Sequence, residues 1–503
     1  MIKVETVAKG LFSSSMAQLM AKVCGLIRNL LVATYFGTGF VVDNFNIASG
    51  IAVIIFFIVS DSFMYSSVPL LCKIKTKESK AFIRLSRSVV ITSAIIGFVG
   101  MLISLGVFYF ADSVIAPCYS PIEMKSLRIT FSIMLPGCIA QLVRSAISAV
   151  ANASSNFSLQ AYSEALCSLL MFICICVFHG FSFALPISFS IGHVLAMLFM
   201  LWYAREIIFG NVTYRMLYIY RDFRPFIIGA APYLAVCGIQ PIFIFFEKRY
   251  GVMLGIGTLA ALSYSLVVID SASSLPQFGR VLFPLISTQP TNETFNIILK
   301  WISIYTIPIA CFVNIFSQEI IVFFYKHGAV EPHDIMIISS MLMLLSPVIV
   351  IGPVGQCTFR FCYAVGSQRL LPVCRFFATL ASVCWIISGH GNFDVAWLFS
   401  VYYVLFYVID FIAHLVVLRL YSLRLNLNIL MYVAKLFFVS IILSYVSYML
   451  ANSLFTTSVL VLILGGCVYI FAFVLIFVVL FKDDFSKQFV QKVIRSCLEL
   501  RIH

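Results

Sequence analysis

Uninterrupted apolar segments of roughly 20 residues recur along the whole chain, and they constrain the fold more than any other feature. A backbone in lipid must satisfy its own hydrogen bonds, so each continuous segment predicts a membrane-spanning α-helix. These segments do not alternate apolar and polar residues, as the strands of a membrane β-barrel would. They lie near residues 10–36, 44–71, 88–111, 129–150, 158–180, 184–204, 226–246, 253–286, 299–324, 335–364, 371–389, 393–417, 428–450 and 457–481. The sequence therefore predicts an all-α polytopic membrane protein with about 14 transmembrane helices.

The composition excludes most other classes of protein. Of the 503 residues, 62% are hydrophobic and only 11% are charged, whereas a soluble domain has about 45–50% apolar and about 25% charged residues. The 15 cysteines form no CxxC pairs and lie mostly in apolar segments. We therefore expect buried thiols, with neither a disulfide framework nor a metal site.

The basic residues predict the orientation in the membrane. With an even number of spans both termini lie on one side, and most of the 33 lysines and arginines fall on that side. The opposite side keeps Lys125, Arg128, Lys248, Arg249 and Lys326. Because loops rich in lysine and arginine stay in the cytoplasm, both termini are predicted to be cytoplasmic. The net charge of +13 is then expected to interact with anionic lipids rather than with nucleic acid.

Two polar segments lie outside the predicted membrane spans. Residues 205–225 form a basic, aromatic connection that separates the first six spans from the rest and is predicted to be a cytoplasmic linker. Residues 482–503 place Phe485, Phe489 and Val493 at a helical spacing between lysines. This tail is predicted to be a cytoplasmic amphipathic helix, either at the membrane surface or bound to a partner.

Charged groups within the first spans predict an anion site. An ionisable group at the centre of a span costs at least about 2.5–3.5 kcal/mol, so it usually faces a polar interior. Lys22 and Arg28 lie two turns apart on the first helix, and Arg144 lies in the fourth. Together they predict a positive interior for a pyrophosphate, which arginine binds bidentately. The alternative for Arg28 is an interhelical salt bridge with Asp61 or Glu164.

Gly37, Gly39 and Asp43 follow the first long helix and are predicted to form a hinge or gate rather than a substrate contact. Glycine permits a close backbone turn, and the Asp43 carboxylate is placed to cap the second helix. Prolines 276 and 353 predict bends in the eighth and tenth spans.

The sequence carries no catalytic motif: it has no phosphate-binding glycine loop, no HExxH and no GxSxG. The predicted outer loops are also short. We therefore expect a transporter rather than an enzyme. Without a nucleotide site or a cofactor, an ion gradient or the membrane potential would drive it, each charge moved being worth about 2.3 kcal/mol per 100 mV.

The segment GLIRNLLVATYFGTGFVVDNFNIA, residues 25–48, resembles the N-terminal signature of the MurJ/MviN family of lipid II flippases. Val68-Pro69, ISAVANASSNFS and FFYKHGAVEPHD resemble further segments of that family. RFCYAVGSQRLLPV, residues 360–373, resembles its motif after the tenth helix. In this resemblance Arg28 matches a cavity arginine, Asp43 a family aspartate, and Lys22 takes the place of another arginine.

The resemblance implies the fold of the multidrug/oligosaccharidyl-lipid/polysaccharide exporter superfamily. Two six-helix lobes, 1–204 and 226–417, would surround a central cavity, and helices 13 and 14, within 418–481, would form a groove for the lipid tail. The resemblance also implies a monomeric flippase of the bacterial inner membrane. Such a protein moves an undecaprenyl-pyrophosphate-linked sugar precursor of lipid II type from the cytoplasmic to the periplasmic leaflet by alternating access. This transport would serve peptidoglycan synthesis and thereby the maintenance of cell shape.

The sequence also departs from the family pattern. The second helix has Ile55 or Phe56 where the family carries a cavity arginine, and the eighth, ALSYSLVVID, has no arginine. A flippase for another lipid-linked oligosaccharide, of O-antigen, capsule or exopolysaccharide type, therefore remains an alternative. A drug/cation antiporter, which predicts an acidic cavity, and a non-transporting scaffold are the others.

Overall fold

A computed structural model describes most of the chain. The described residues are 4–57, 59–60, 67–68, 71–72, 74–75, 79–154, 156, 158–209, 238–274 and 291–480. Several predictions lie outside these ranges: the ion-pair partner Asp61, the bend at Pro276, most of the 205–225 linker and the 482–503 tail.

Six long helices lie within the described residues of the predicted first lobe. They are α1 (Val4–Phe36), α2 (Phe40–Ala52), α3 (Ser79–Ile115), α4 (Pro121–Ala153), α5 (Ser158–Phe178) and α6 (Ala184–Tyr203), and α2 continues into a π-helical turn at Val53–Phe57. α1 ends where Gly37 takes a φ of +56° and donates its N–H to the Ala33 carbonyl at 3.0 Å, a left-handed termination that suits glycine. α4 begins with a capping box between Ser120 and Glu123.

The described residues of the predicted second lobe form α7 (Gln240–Met253), α8 (Thr258–Ser274), α9 (Asn292–Ile315), α10 (Ser317–Tyr325), α11 (Pro332–Leu345), α12 (Val348–Ala364), α13 (Leu371–Gly389) and α14 (Val395–Leu420). A partly buried ion pair lies inside this lobe, where Arg375 Nε is 3.6 Å from Asp410 Oδ1. His414 Nε2 lies 3.8 Å from the same oxygen, one helical turn further along α14.

The last two helices, α15 (Leu427–Leu454) and α16 (Ser458–Leu480), pack on α9 and α10 of the second lobe. The Tyr469 hydroxyl donates to the Pro308 carbonyl at 3.0 Å, and Leu436 and Phe477 close an apolar cluster with α9. A lipid-tail groove on these helices stays a prediction.

The exposed surface of the helices is apolar, as lipid contact requires. Phe110 and Ile122 are each 83% exposed and Phe471 is 72% exposed, which aqueous surfaces rarely show over so many neighbouring helices. Ten described helices are long and apolar enough to cross a membrane, and α11 with α12 would make an eleventh. The described residues contain no strand, so the all-α polytopic class is confirmed. The count of 14 stays a prediction.

The tenth predicted span bends at a different proline from the one expected. The 42° bend lies between α11 and α12, at Ser346 and Pro347, while Pro353 lies inside α12. Pro347 has no N–H to donate to the Met343 carbonyl, so the hydrogen-bond ladder of the helix is interrupted there. Asn314 Nδ2 donates to that carbonyl at 2.9 Å instead. Ser346 also donates to this carbonyl, through its N–H at 3.3 Å and its Oγ at 2.8 Å, so the Met343 carbonyl at the break keeps its hydrogen bonds.

Candidate functional site

A cavity of about 200 Å³ lies between the two lobes. Helices α1, α2, α5 and α6 of the first lobe line it together with α8 of the second. Its apolar wall includes Val32, Phe45, Met171 and Phe189. The polar side chains that line it are Arg28, Asn29, Asn46, Ser49, His193, Ser263 and Tyr264. Among the described lining residues Arg28 is the one formal charge, and no carboxylate is present.

Arg28 faces this cavity from α1. Its Nη2 donates to Asn29 Oδ1 at 3.0 Å, and its Nη1 lies 3.5 Å from Met171 Sδ. Neither neighbour is an anion, and Glu164 accepts instead from Gln160 at 3.0 Å. Within the described ranges Arg28 therefore makes no ion pair, and its guanidinium keeps donors available to an anion in the cavity.

Arg144 lies behind the cavity wall, 4% exposed. Its Nε donates to Ser163 Oγ at 2.9 Å, and its Nη1 donates to Gln141 Oε1 and His193 Nδ1, both at 3.0 Å. A buried charge needs such partners to offset its lost hydration. The structure thus joins Arg144 to the cavity through His193.

Lys22 lies apart from Arg28. Its side chain is exposed, it is absent from the described cavity lining, and it interacts electrostatically with Asp270 on α8. The three predicted cations therefore take three different positions: Arg28 in the cavity, Arg144 behind its wall and Lys22 opposite an aspartate of the other lobe. Their role in substrate binding stays a prediction.

Asp43 joins the two lobes at one end of the cavity. Its carboxylate accepts the backbone N–H of Gly257 at 2.6 Å and of Ala260 at 2.7 Å. The expectation that Asp43 caps its own helix is therefore wrong: it caps the N-terminus of α8 in the second lobe. The reason is that α2 begins at Phe40, so Asp43 is already within its first turn and points outward to the facing helix.

The turn at residues 37–39 forms the rest of this end, which we call the closed end. The Tyr264 hydroxyl donates to the Gly37 carbonyl at 2.5 Å, and Thr38 donates to Asp334. The Ala329 N–H donates to the Thr34 carbonyl at 3.0 Å. The Gly39 N–H donates to the Phe36 carbonyl at 3.4 Å. The predicted hinge or gate residues thus lie at a contact between the lobes; that they move during transport stays a prediction.

Gly37→Ala is expected to weaken this contact. A Cβ at residue 37 would lie 2.4 Å from the Ala329 carbonyl oxygen, so the lobes would have to separate. Gly391→Ala is the matched control, because Gly391 also has a positive φ, +86°, but no atom lies within 4 Å of its Cβ position. An alanine at a positive φ adds about 1–2 kcal/mol of backbone strain in both variants. Both variants should lower the melting temperature, but only Gly37→Ala should also lower the rate of reconstituted transport; equal rates would contradict a role for the contact.

Sequence reasoning missed His193, Asn46 and Ser263 as cavity residues. Asn46 Nδ2 also donates to the Leu259 carbonyl at 3.3 Å, across the lobes. The available signal was a histidine in the middle of the apolar segment 184–204, where the cost of a polar group in lipid already points to a polar interior.

Comparison with known proteins agrees with this architecture. The family model described as lipid II flippase MurJ matches residues 32–368. The chain belongs to this family. A relative from Buchnera aphidicola (subspecies Baizongia pistaciae), named a probable lipid II flippase MurJ, is 24% identical over 369 residues, covering 68% of this chain and 69% of that protein. The predicted transporter class, as opposed to an enzyme, is confirmed by the family.

Solved structures show the same fold. A lipid II flippase MurJ in an inward closed conformation has a TM-score of 0.76 at 18% identity, covering 95% of this chain and 99% of that one. An inward-facing MATE family transporter of the MOP superfamily has a TM-score of 0.59 at 13% identity, covering 84% and 99%. The predicted fold class is confirmed at this level, whereas the predicted domain boundaries stay predictions.

Proposed function

We propose that this chain is an inner-membrane flippase that moves lipid II, an undecaprenyl-pyrophosphate-linked sugar precursor, from the cytoplasmic to the periplasmic leaflet. The observation that carries the proposal is an inter-lobe cavity whose described lining has one arginine, several neutral hydrogen-bond donors and no carboxylate. Family membership and the names of the relatives support the same substrate class.

The mechanism that fits this arrangement is alternating access. In the predicted orientation the closed end faces the periplasm, so the headgroup would enter from the cytoplasmic side and bind near Arg28. Opening toward the periplasm then requires the contacts of Asp43, Gly37 and Thr38 with the second lobe to break. An ion gradient or the membrane potential would supply the driving force.

Transport by the purified full chain in liposomes tests the proposal. Fluorescent lipid II is placed in one leaflet, and its accessibility to a membrane-impermeant quencher is followed with and without protein. We expect protein-dependent translocation of lipid II. Translocation of an O-antigen-type lipid-linked oligosaccharide, with lipid II left in place, would instead support the alternative suggested by Ile55 and Phe56 in the second helix.

A drug/cation antiporter is the less suitable alternative, because an organic cation would meet Arg28 in the cavity with no described carboxylate to offset its charge. Efflux of a lipophilic cation from the same liposomes, without lipid II movement, would overturn this assignment. Movement of neither substrate would support the scaffold alternative.

The membrane orientation gives a separate prediction. Reporter fusions after His503 and within residues 71–86 should both report a cytoplasmic location, because both regions belong to the basic side of the chain. The matched control is a fusion within residues 326–331, at the closed end, which should report the periplasm. A periplasmic signal at either of the first two positions would overturn the orientation.

A further inference from the structure

The hydrogen bond between His193 and Arg144 defines the protonation state and the tautomer of the His193 ring. Its Nδ1 lies 3.0 Å from Nη1 of Arg144. A guanidinium has only donors, so Nδ1 must accept and cannot carry a hydrogen. The ring is therefore neutral, and its one hydrogen is on Nε2.

Arg144 stabilises this neutral tautomer of His193. Its guanidinium is held in place by hydrogen bonds from Nε to Ser163 and from Nη1 to Gln141, and it is buried. Protonation of His193 at Nδ1 would direct its N–H donor at the N–H donor of Arg144. It would also place a positively charged imidazolium beside the positively charged guanidinium. The arrangement therefore keeps His193 as a neutral ring with a single N–H donor.

Nε2 is the nitrogen left for the cavity. His193 lines the cavity with Arg28, while its Nδ1 is directed to Arg144 in the wall. Nε2 has no hydrogen-bond partner among the residues that the structure describes. The Phe189 ring, with its centroid 4.3 Å from that of the imidazole, packs against the ring.

We propose that the Nε2–H of His193 donates a hydrogen bond to an anionic oxygen of the lipid-linked headgroup, and that Arg144 is the positioning residue that fixes this tautomer. The inference rests on the proposed function and adds a donor to it. Arg28 and His193 line one cavity, so a single anionic group can meet a charged donor and a neutral one. Hydrogen bonds to ionised groups are the stronger kind, which suits a pyrophosphate or a carboxylate oxygen.

Binding to the full-length protein in detergent tests the donor. The probes are undecaprenyl pyrophosphate, the same lipid bearing a disaccharide without peptide, and lipid II. We expect His193→Phe, which keeps a flat ring but has no donor, to weaken binding by about ten- to hundredfold. His193→Gln, which carries an amide donor near the place of Nε2, should stay within about threefold of the wild type.

The three probes identify the oxygen. An equal loss for all three in His193→Phe assigns the donor to the pyrophosphate, and a loss confined to lipid II assigns it to a carboxylate of the peptide. His179→Phe is the matched control, since His179 is exposed and stacks on Tyr35 instead. It should bind every probe as the wild type does.

The positioning role of Arg144 has its own readout. In ¹⁵N spectra of histidine-labelled protein, the His193 signals, identified by their absence in His193→Gln, should show an unprotonated Nδ1 and a protonated Nε2. Arg144→Gln should mix the two tautomers. In the double variant Arg144→Gln/His193→Phe, binding should be no weaker than in His193→Phe alone, because Arg144 acts through His193.

The outcomes separate the two proposals. A wild-type protein that binds none of the probes overturns the proposed function. Wild-type binding that His193→Phe leaves unchanged for every probe overturns the donor role while the proposed function stands. A protonated Nδ1 in the wild type overturns the tautomer and the role of Arg144.

Discussion

Arg28→Ala is expected to lower the rate of lipid II translocation about 100-fold, which corresponds to the loss of roughly 3 kcal/mol of charge-assisted hydrogen bonding. The physical reason is that Arg28 is the one formal charge among the described residues of the cavity lining, and the side chains it contacts, Asn29 and Met171, are neutral. No other described residue of that lining carries a charge that could replace its interaction with a pyrophosphate. The measurement is the initial rate in proteoliposomes, normalised to folded protein.

Two further variants sharpen this test. Arg28→Lys should recover only part of the rate, because an ammonium is a point charge and cannot donate two parallel hydrogen bonds. Arg419→Ala, at the exposed end of α14, should transport as the wild type does. Wild-type transport by Arg28→Ala would eliminate the anion site.

A structural role for Arg28 gives a different pattern. If an ion pair with Glu164 were its function, Arg28→Ala would lose membrane abundance together with transport, and the charge-swapped pair Arg28→Glu/Glu164→Arg would restore both. We expect no such rescue, because Glu164 interacts with Gln160 in the structure.

Asp43→Ala is expected to destabilise the closed end by about 2–3 kcal/mol, since two backbone N–H groups, those of Gly257 and Ala260, lose their acceptor. Asp43→Asn should also be impaired. Its amide has one oxygen, so its NH₂ group would face one of the two N–H donors. Hydrogen exchange of residues 257–260 should accelerate in both variants, and the melting temperature should fall.

Asp394→Asn provides the control for this pair. Asp394 precedes α14 as its N-cap residue but makes no side-chain capping hydrogen bond, so its replacement should change neither exchange nor transport. If Asp43→Asn matched the wild type in both measurements, the link from α2 to α8 would not hold the lobes together.

The apolar segments predicted the helices well because hydropathy is a local property. A run of 20 apolar residues must be helical in lipid whatever packs against it. The same locality explains why the 42° bend of the tenth span was not predicted at Pro347. Pro347 and Pro353 both interrupt the hydrogen-bond ladder, and the sequence alone does not distinguish which interruption lies at the 42° bend.

The candidate site was predicted in part. A charge inside a span signals a polar interior, and this singled out Arg28, Arg144 and Lys22. It could not tell which of them enters the cavity, since that depends on how each helix is rotated against its neighbours. His193 carries no formal charge, and its importance depends on Arg144, which lies 49 residues away along the chain.

The sequence by itself determined the membrane-spanning class, the family and the distribution of basic residues, because each of these follows from residue types along the chain. Only the tertiary structure decided that Asp43 caps α8 of the opposite lobe and that His193 carries its hydrogen on Nε2. Both are properties of a pair of groups brought together from distant segments, and a hydrogen bond depends on distance and direction in space rather than on sequence.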